Sequence, residues 1–74
     1  MFPILEKIDK ALESKGKCTL IDKMGKYFHG EVKDSWIRLS GGKLRGKLLF
    51  ASEEKGEIQV DAHDILDLIV ENKS

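Results

Sequence analysis

The sequence predicts an α+β, mainly β protein: an N-terminal amphipathic helix followed by a small antiparallel barrel of five to six strands. Three observations lead there. Apolar residues recur at three- and four-residue spacing up to residue 15, the period shortens to two after Gly16, and glycine-bearing turns interrupt everything that follows. Seventy-four residues allow one domain, expected to span 1–74 with the helix at 3–15 and the barrel at 17–70, near the lower size limit for a self-sufficient core. Association between chains is a natural supplement at this size.

The helix is predicted from Ile4, Leu5, Ile8, Ala11 and Leu12, which fall on one face, with Glu6, Asp9 and Glu13 among the residues opposite. Pro3 suits the first turn, where its missing N–H is not needed, and Gly16 suits the left-handed position that ends a helix. Strands are predicted at 17–24, 26–33, 36–39, 43–52 and 57–60. In the second, Phe28, Gly30 and Val32 alternate with Tyr27, His29 and Glu31. Ser40-Gly41-Gly42 is the strongest turn signal, and Gly30 and Gly46 are expected to bend their strands. The stretch DAHDILDLIV allows either a short helix capped by Asp61 or a single helical turn followed by a closing edge strand from Ile65 to Val70. The β-branched Ile65, Ile69 and Val70 favour the turn and strand. Antiparallel strands this short either close on themselves or expose an edge, and the simplest expectation is closure with the helix across one open end.

Net charge is zero, yet it is unevenly spread. Residues 1–50 hold eleven Lys or Arg against six Asp or Glu, a balance of +5, and residues 51–74 hold two against seven, a balance of −5. Such polarity serves a polyanion on one face, or head-to-tail pairing of basic and acidic parts within or between chains. Cys18 is the only cysteine, which excludes an internal disulfide and makes the cytoplasm the expected compartment. The apolar run Met1–Leu5 is expected to be too short for a signal peptide, and Ile65–Val70 is too short to span a bilayer.

The segment Gly25-Lys26-Tyr27-Phe28-His29-Gly30-Glu31-Val32 resembles the first signature segment of Sm-like proteins, with Gly25, Phe28, Gly30 and Val32 at the matching positions. Leu44-Arg45-Gly46 is similar to the arginine–glycine pair of the second Sm segment. An N-terminal helix before a bent five-stranded barrel is likewise the Sm-like order, and glycine hairpins of this kind also occur in SH3-like barrels. Ser35-Trp36 stands after Asp34 where Sm-like proteins carry base-contacting loop residues. The resemblance implies a fold and leaves function to the residues themselves.

Those residues carry no catalytic or metal signature. One cysteine and two distant histidines have no zinc-ligand spacing, the phosphate-binding glycine loop is absent, and no cofactor is implied. The preferred functional expectation is therefore a non-enzymatic module for protein interaction or self-assembly. The alternative is single-stranded nucleic acid, RNA included, on a basic strand face. Lys43, Arg45 and Lys47 alternate along one strand, Arg38 joins them across the Gly41-Gly42 hairpin, and Tyr27 and Trp36 offer rings for stacking.

Overall fold

The computed structural model describes residues 3–71. Helix α1 spans Pro3–Ser14 and is followed by strands β1 (Cys18–Asp22), β2 (Tyr27–Ser35), β3 (Arg38–Ser40), β4 (Lys43–Arg45), β5 (Lys47–Ser52), β6 (Gly56–Asp61) and β7 (Ile65–Val70). A one-turn 3-10 helix, Ala62–Asp64, joins the last two. Of the two readings of DAHDILDLIV, the turn and strand is the one observed. Asp61 caps the turn, its carboxylate accepting from the His63 amide at 2.9 Å.

Five strands form an antiparallel sheet in the order β6-β5-β2-β1-β7, and β3 pairs with β4 as a separate two-stranded ribbon. The expected closure into a barrel is not found. β6 pairs with β5, β7 pairs with β1, and the two outer strands share no ladder. The sheet must nevertheless curl strongly. Laid flat, its edges would stand about 19 Å apart at ~4.8 Å per strand, whereas the four steps from Asp61 to Ile65 reach at most about 14 Å. The amide of Ala62 donates to the Gly46 carbonyl and that of Lys23 to the Asp64 carbonyl, which holds this connector against the β4–β5 junction on one side and the β1–β2 turn on the other.

The core lies in the concavity. Ile8 and Ala11 of α1 meet Cys18, Leu20, Val32, Leu48, Phe50 and Leu68 from the sheet, with Ile4, Leu12, Phe28, Ile58 and Val60 packed around them. The predicted apolar helix face is thus the buried one, and it rests on β2 and β7. Lys7 reaches over to Asp67 at 2.7 Å, and this hydrogen bond holds the Asp67 carboxyl below its ordinary range. Half exposed, the pair contributes little to stability.

The helix stop differs from the sequence expectation by one residue. Lys15, not Gly16, takes the left-handed conformation (φ 52°), while its amide donates to the Ala11 carbonyl at 3.0 Å. A side chain there costs about 1 kcal/mol. Lys15→Gly is therefore expected to raise the urea midpoint by a stability gain of roughly 0.5–1 kcal/mol. An unchanged or lowered midpoint would count against this cap geometry.

A polar clamp closes the far end of β2 and β5. Glu54 accepts from the His29 ring at 2.8 Å, from the His29 amide at 3.1 Å and from the Ser52 hydroxyl at 2.9 Å. The His29 ring bond is the largest of these influences, and together they lower the Glu54 carboxyl to a pKa of about 2. The folded value lies below the unfolded one, so the stabilisation is present above the ordinary carboxylate range and is lost as pH falls towards 2. Glu54→Gln should consequently melt below wild type at neutral pH, with the gap narrowing steadily in acid. A gap that stayed constant with pH would contradict the clamp.

Candidate nucleic-acid interface

Between β2 and β5 the chain runs out into a hairpin that begins at Trp36 and returns at Gly46. Gly41 and Gly42 both have positive φ, 60° and 76°, as a two-residue hairpin turn requires, and they set the register Arg38↔Arg45, Leu39↔Leu44, Ser40↔Lys43. The alternation then sends Arg38 and Arg45 to one side of the ribbon and Leu39 and Leu44 to the other.

The sequence-predicted strand 43–52 is two strands, broken at Gly46. There φ is +117°, and a Cβ would stand 2.1 Å from the Trp36 carbonyl oxygen. Only glycine permits this approach, in which the Trp36 amide donates to the Lys47 carbonyl at 2.8 Å and pins the base of the hairpin. Gly46 is thus a junction rather than a bend within a strand. Gly30, the other predicted bend, lies inside β2 without a positive φ, and its role is close approach to β5.

The junction sets the indole of Trp36 beside the hairpin, and a cleft of about 580 Å³ opens between them, lined by Trp36, Arg38, Ser40, Arg45, Gly46, Lys47 and Gln59. Trp36 is 52% exposed. Four of the six candidate binding residues therefore meet: Trp36, Arg38, Arg45 and Lys47. Lys43 lies at the hairpin tip opposite Ser40, outside the cleft lining. Tyr27 is exposed but begins β2, whose nine residues carry it roughly 25 Å from the cleft. Sequence reasoning missed Gln59, which β6 brings in across the sheet, opposite Leu49. The outward alternation of Glu57, Gln59 and Asp61 was the available signal.

The charged side chains that line the cleft are all cationic. Arg38 and Arg45 are direct cross-strand partners, an arrangement that costs stability when like charges face each other. Among the described residues, none of Arg38, Lys43, Arg45 and Lys47 makes an ion pair. Asp61 is the cross-strand partner of Lys47, but it does not line the cleft, and one of its oxygens already serves the His63 amide.

Other reactive side chains are held apart or tied up in hydrogen bonds. Cys18 and His29 lie on neighbouring strands but on opposite faces, the thiol buried and the imidazole exposed. Burial raises the thiol pKa, and the Sγ–H donates to the Gly16 carbonyl at 3.5 Å. Ser52 gives its hydroxyl proton to Glu54, not to the His29 ring, so the Ser52–Glu54–His29 cluster activates no nucleophile. Among the described residues, no group of three or more His, Cys, Asp or Glu side chains is arranged to hold a metal ion. No helix among them is long and apolar enough to cross a membrane.

Comparison with protein-family models, curated proteins and solved structures finds no match.

Proposed function

We propose that this protein is a non-enzymatic binding module whose ligand is a single-stranded nucleic acid, RNA included, held in the Trp36 cleft. What supports the reading is the convergence of Arg38, Arg45 and Lys47 beside a half-exposed indole, with no carboxylate among the described residues paired to any of the three. The cations suit phosphate oxygens, and an unpaired base stacks on Trp36 for roughly 1–3 kcal/mol. Lys43 at the hairpin tip extends the track by one phosphate. The helix followed by a curled five-stranded antiparallel sheet also supports the finer Sm-like or SH3-like reading of the fold.

The test is the salt dependence of affinity for a fluorescently labelled single strand. Three or four phosphate contacts at about −0.7 each give an expected slope of log affinity against log salt of roughly −2 to −3. No measurable affinity at low salt would end this reading.

A second reading, self-assembly in the cytoplasm, is favoured by the sheet edges. Among the described residues, β6 and β7 each leave one side without a strand partner, and β7 exposes Leu66 (65%) and Ile69 (48%). Leu66 is the extra residue where the β1–β7 register shifts between Ile21 and Asp22. Strand addition from a second copy or another protein would cover such an edge. The two readings are compatible, because the cleft lies on the hairpin while the edges lie on the sheet.

A further inference from the structure

The positive charge of the cleft stops where the sheet begins. After Lys47 the outward positions of β5 are Leu49 and Ala51, which alternate with buried Leu48, Phe50 and Ser52. Cross-strand partners share a face. Here the partners are acidic: Asp61 opposite Lys47, Asp34 opposite Leu49, and Glu31 and Glu57 opposite Ala51 from either side. None of these four carboxylates lines the cleft, and among the described residues only Glu31 makes an ion pair, with Lys33. A polyanion leaving the cleft across the sheet would run onto carboxylates, whereas towards the hairpin tip it meets Lys43. A strand therefore has one way in and no way through.

The charge gathered inside is the second observation. Arg38 and Arg45 are direct cross-strand partners, both line the cleft, and Lys47 adds a third cation. Residues directly opposite hold their Cβ atoms about 4.5–5.5 Å apart, close enough for both guanidiniums to fork onto one phosphate. An internal phosphodiester brings a single negative charge and two free oxygens to that pair. A phosphate at the end of a strand brings a charge of about −1.5 to −2 and three oxygens.

We infer that the cleft receives the end of a strand, with its terminal phosphomonoester held between Arg38 and Arg45. The inference rests on the nucleic-acid reading of the same cleft. The end nucleotide lays its base on Trp36, the chain departs over the hairpin past Lys43, and the carboxylates of β2 and β6 keep it off the sheet. A 5′ and a 3′ terminal phosphate share this chemistry, and the experiment separates them.

Trp36 is the only tryptophan, so its fluorescence reports occupancy of this cleft directly. The probes are a short oligouridylate phosphorylated at its 5′ end, the same strand phosphorylated at its 3′ end, and a hydroxyl-ended strand two nucleotides longer, which carries the same total charge. At least one phosphorylated strand should bind about tenfold tighter than the hydroxyl-ended one, and the tighter of the two names the end. Arg38→Gln, which removes a like-charge opposition and should melt no lower than wild type, is expected to bring all three to within about twofold of one another. If the three bind wild type equally, or if the preference survives in Arg38→Gln, recognition of the end is wrong while the nucleic-acid reading stands. A phosphoserine peptide of equal charge that binds as tightly would overturn both, because the ring would then stack no base. Both also fall if no strand quenches Trp36 or binds at low salt.

Discussion

Gly30→Ala is expected to remove at least about 3 kcal/mol of stability, a large fraction of what a chain of this size has. Gly30 is buried in the middle of β2, the central strand, paired with Cys18 on one side and Ser52 on the other. A Cβ added there would stand 1.8 Å from the Ala51 carbonyl oxygen and 2.8 Å from its carbon, and backbone cannot step aside as a flexible side chain can. Relief requires prying β2 from β5 where Val32 and Phe50 seal the core. Ordinary overpacking costs about 1–3 kcal/mol, and a backbone collision inside a ladder costs more. A chain of this size has roughly 4–11 kcal/mol in total. Urea titration followed by circular dichroism should show a midpoint lowered by an equivalent of at least about 3 kcal/mol. A variant with a wild-type midpoint would show that β2 and β5 are not this close.

The largest functional effect is expected from reversing the cleft charges. Arg45→Glu with Lys47→Glu removes two of three phosphate partners and sets two carboxylates in their place. Affinity for single strands should drop by on the order of 100-fold at low salt, and the salt slope should shrink by about two contacts' worth. Stability should hardly move. The carboxylate introduced by Arg45→Glu would face Arg38 and replace a like-charge opposition with an attractive pair. The one introduced by Lys47→Glu would face Asp61 and add a repulsion of similar size. Loss of binding in a variant that melts like wild type would therefore reflect the cleft and not the fold. Retained binding would move the interface elsewhere.

Much of this architecture is written locally. The face shared by Ile4, Ile8, Ala11 and Leu12 is a helix by spacing alone, and Gly41-Gly42 dictates a two-residue hairpin that carries Arg38 opposite Arg45. The strand from Ile65 was legible from its β-branched residues. The departures come from contacts between residues far apart. Whether glycine at 46 bends a strand or ends one depends on how closely the Trp36 backbone passes, and residues 43–52 contain no trace of that approach. Barrel closure failed as an expectation because alternation defines which face is inward but not which edges meet. β7 pairs with β1 and leaves β6 open. The candidate site divides in the same way. Residues adjacent through the hairpin were predicted together and are found together. Tyr27 was grouped with them by chemistry, but a nine-residue strand separates it, and Gln59 enters only through pairing of β6 with β5.

The site can be located by titrating uniformly ¹⁵N-labelled protein with a short single strand and following its amide and indole N–H signals. Shifts concentrated on the Trp36 indole, β3, β4, the first residues of β5 and Gln59 are the predicted result. Shifts confined to α1 and β7, or none at all at low salt, would contradict it.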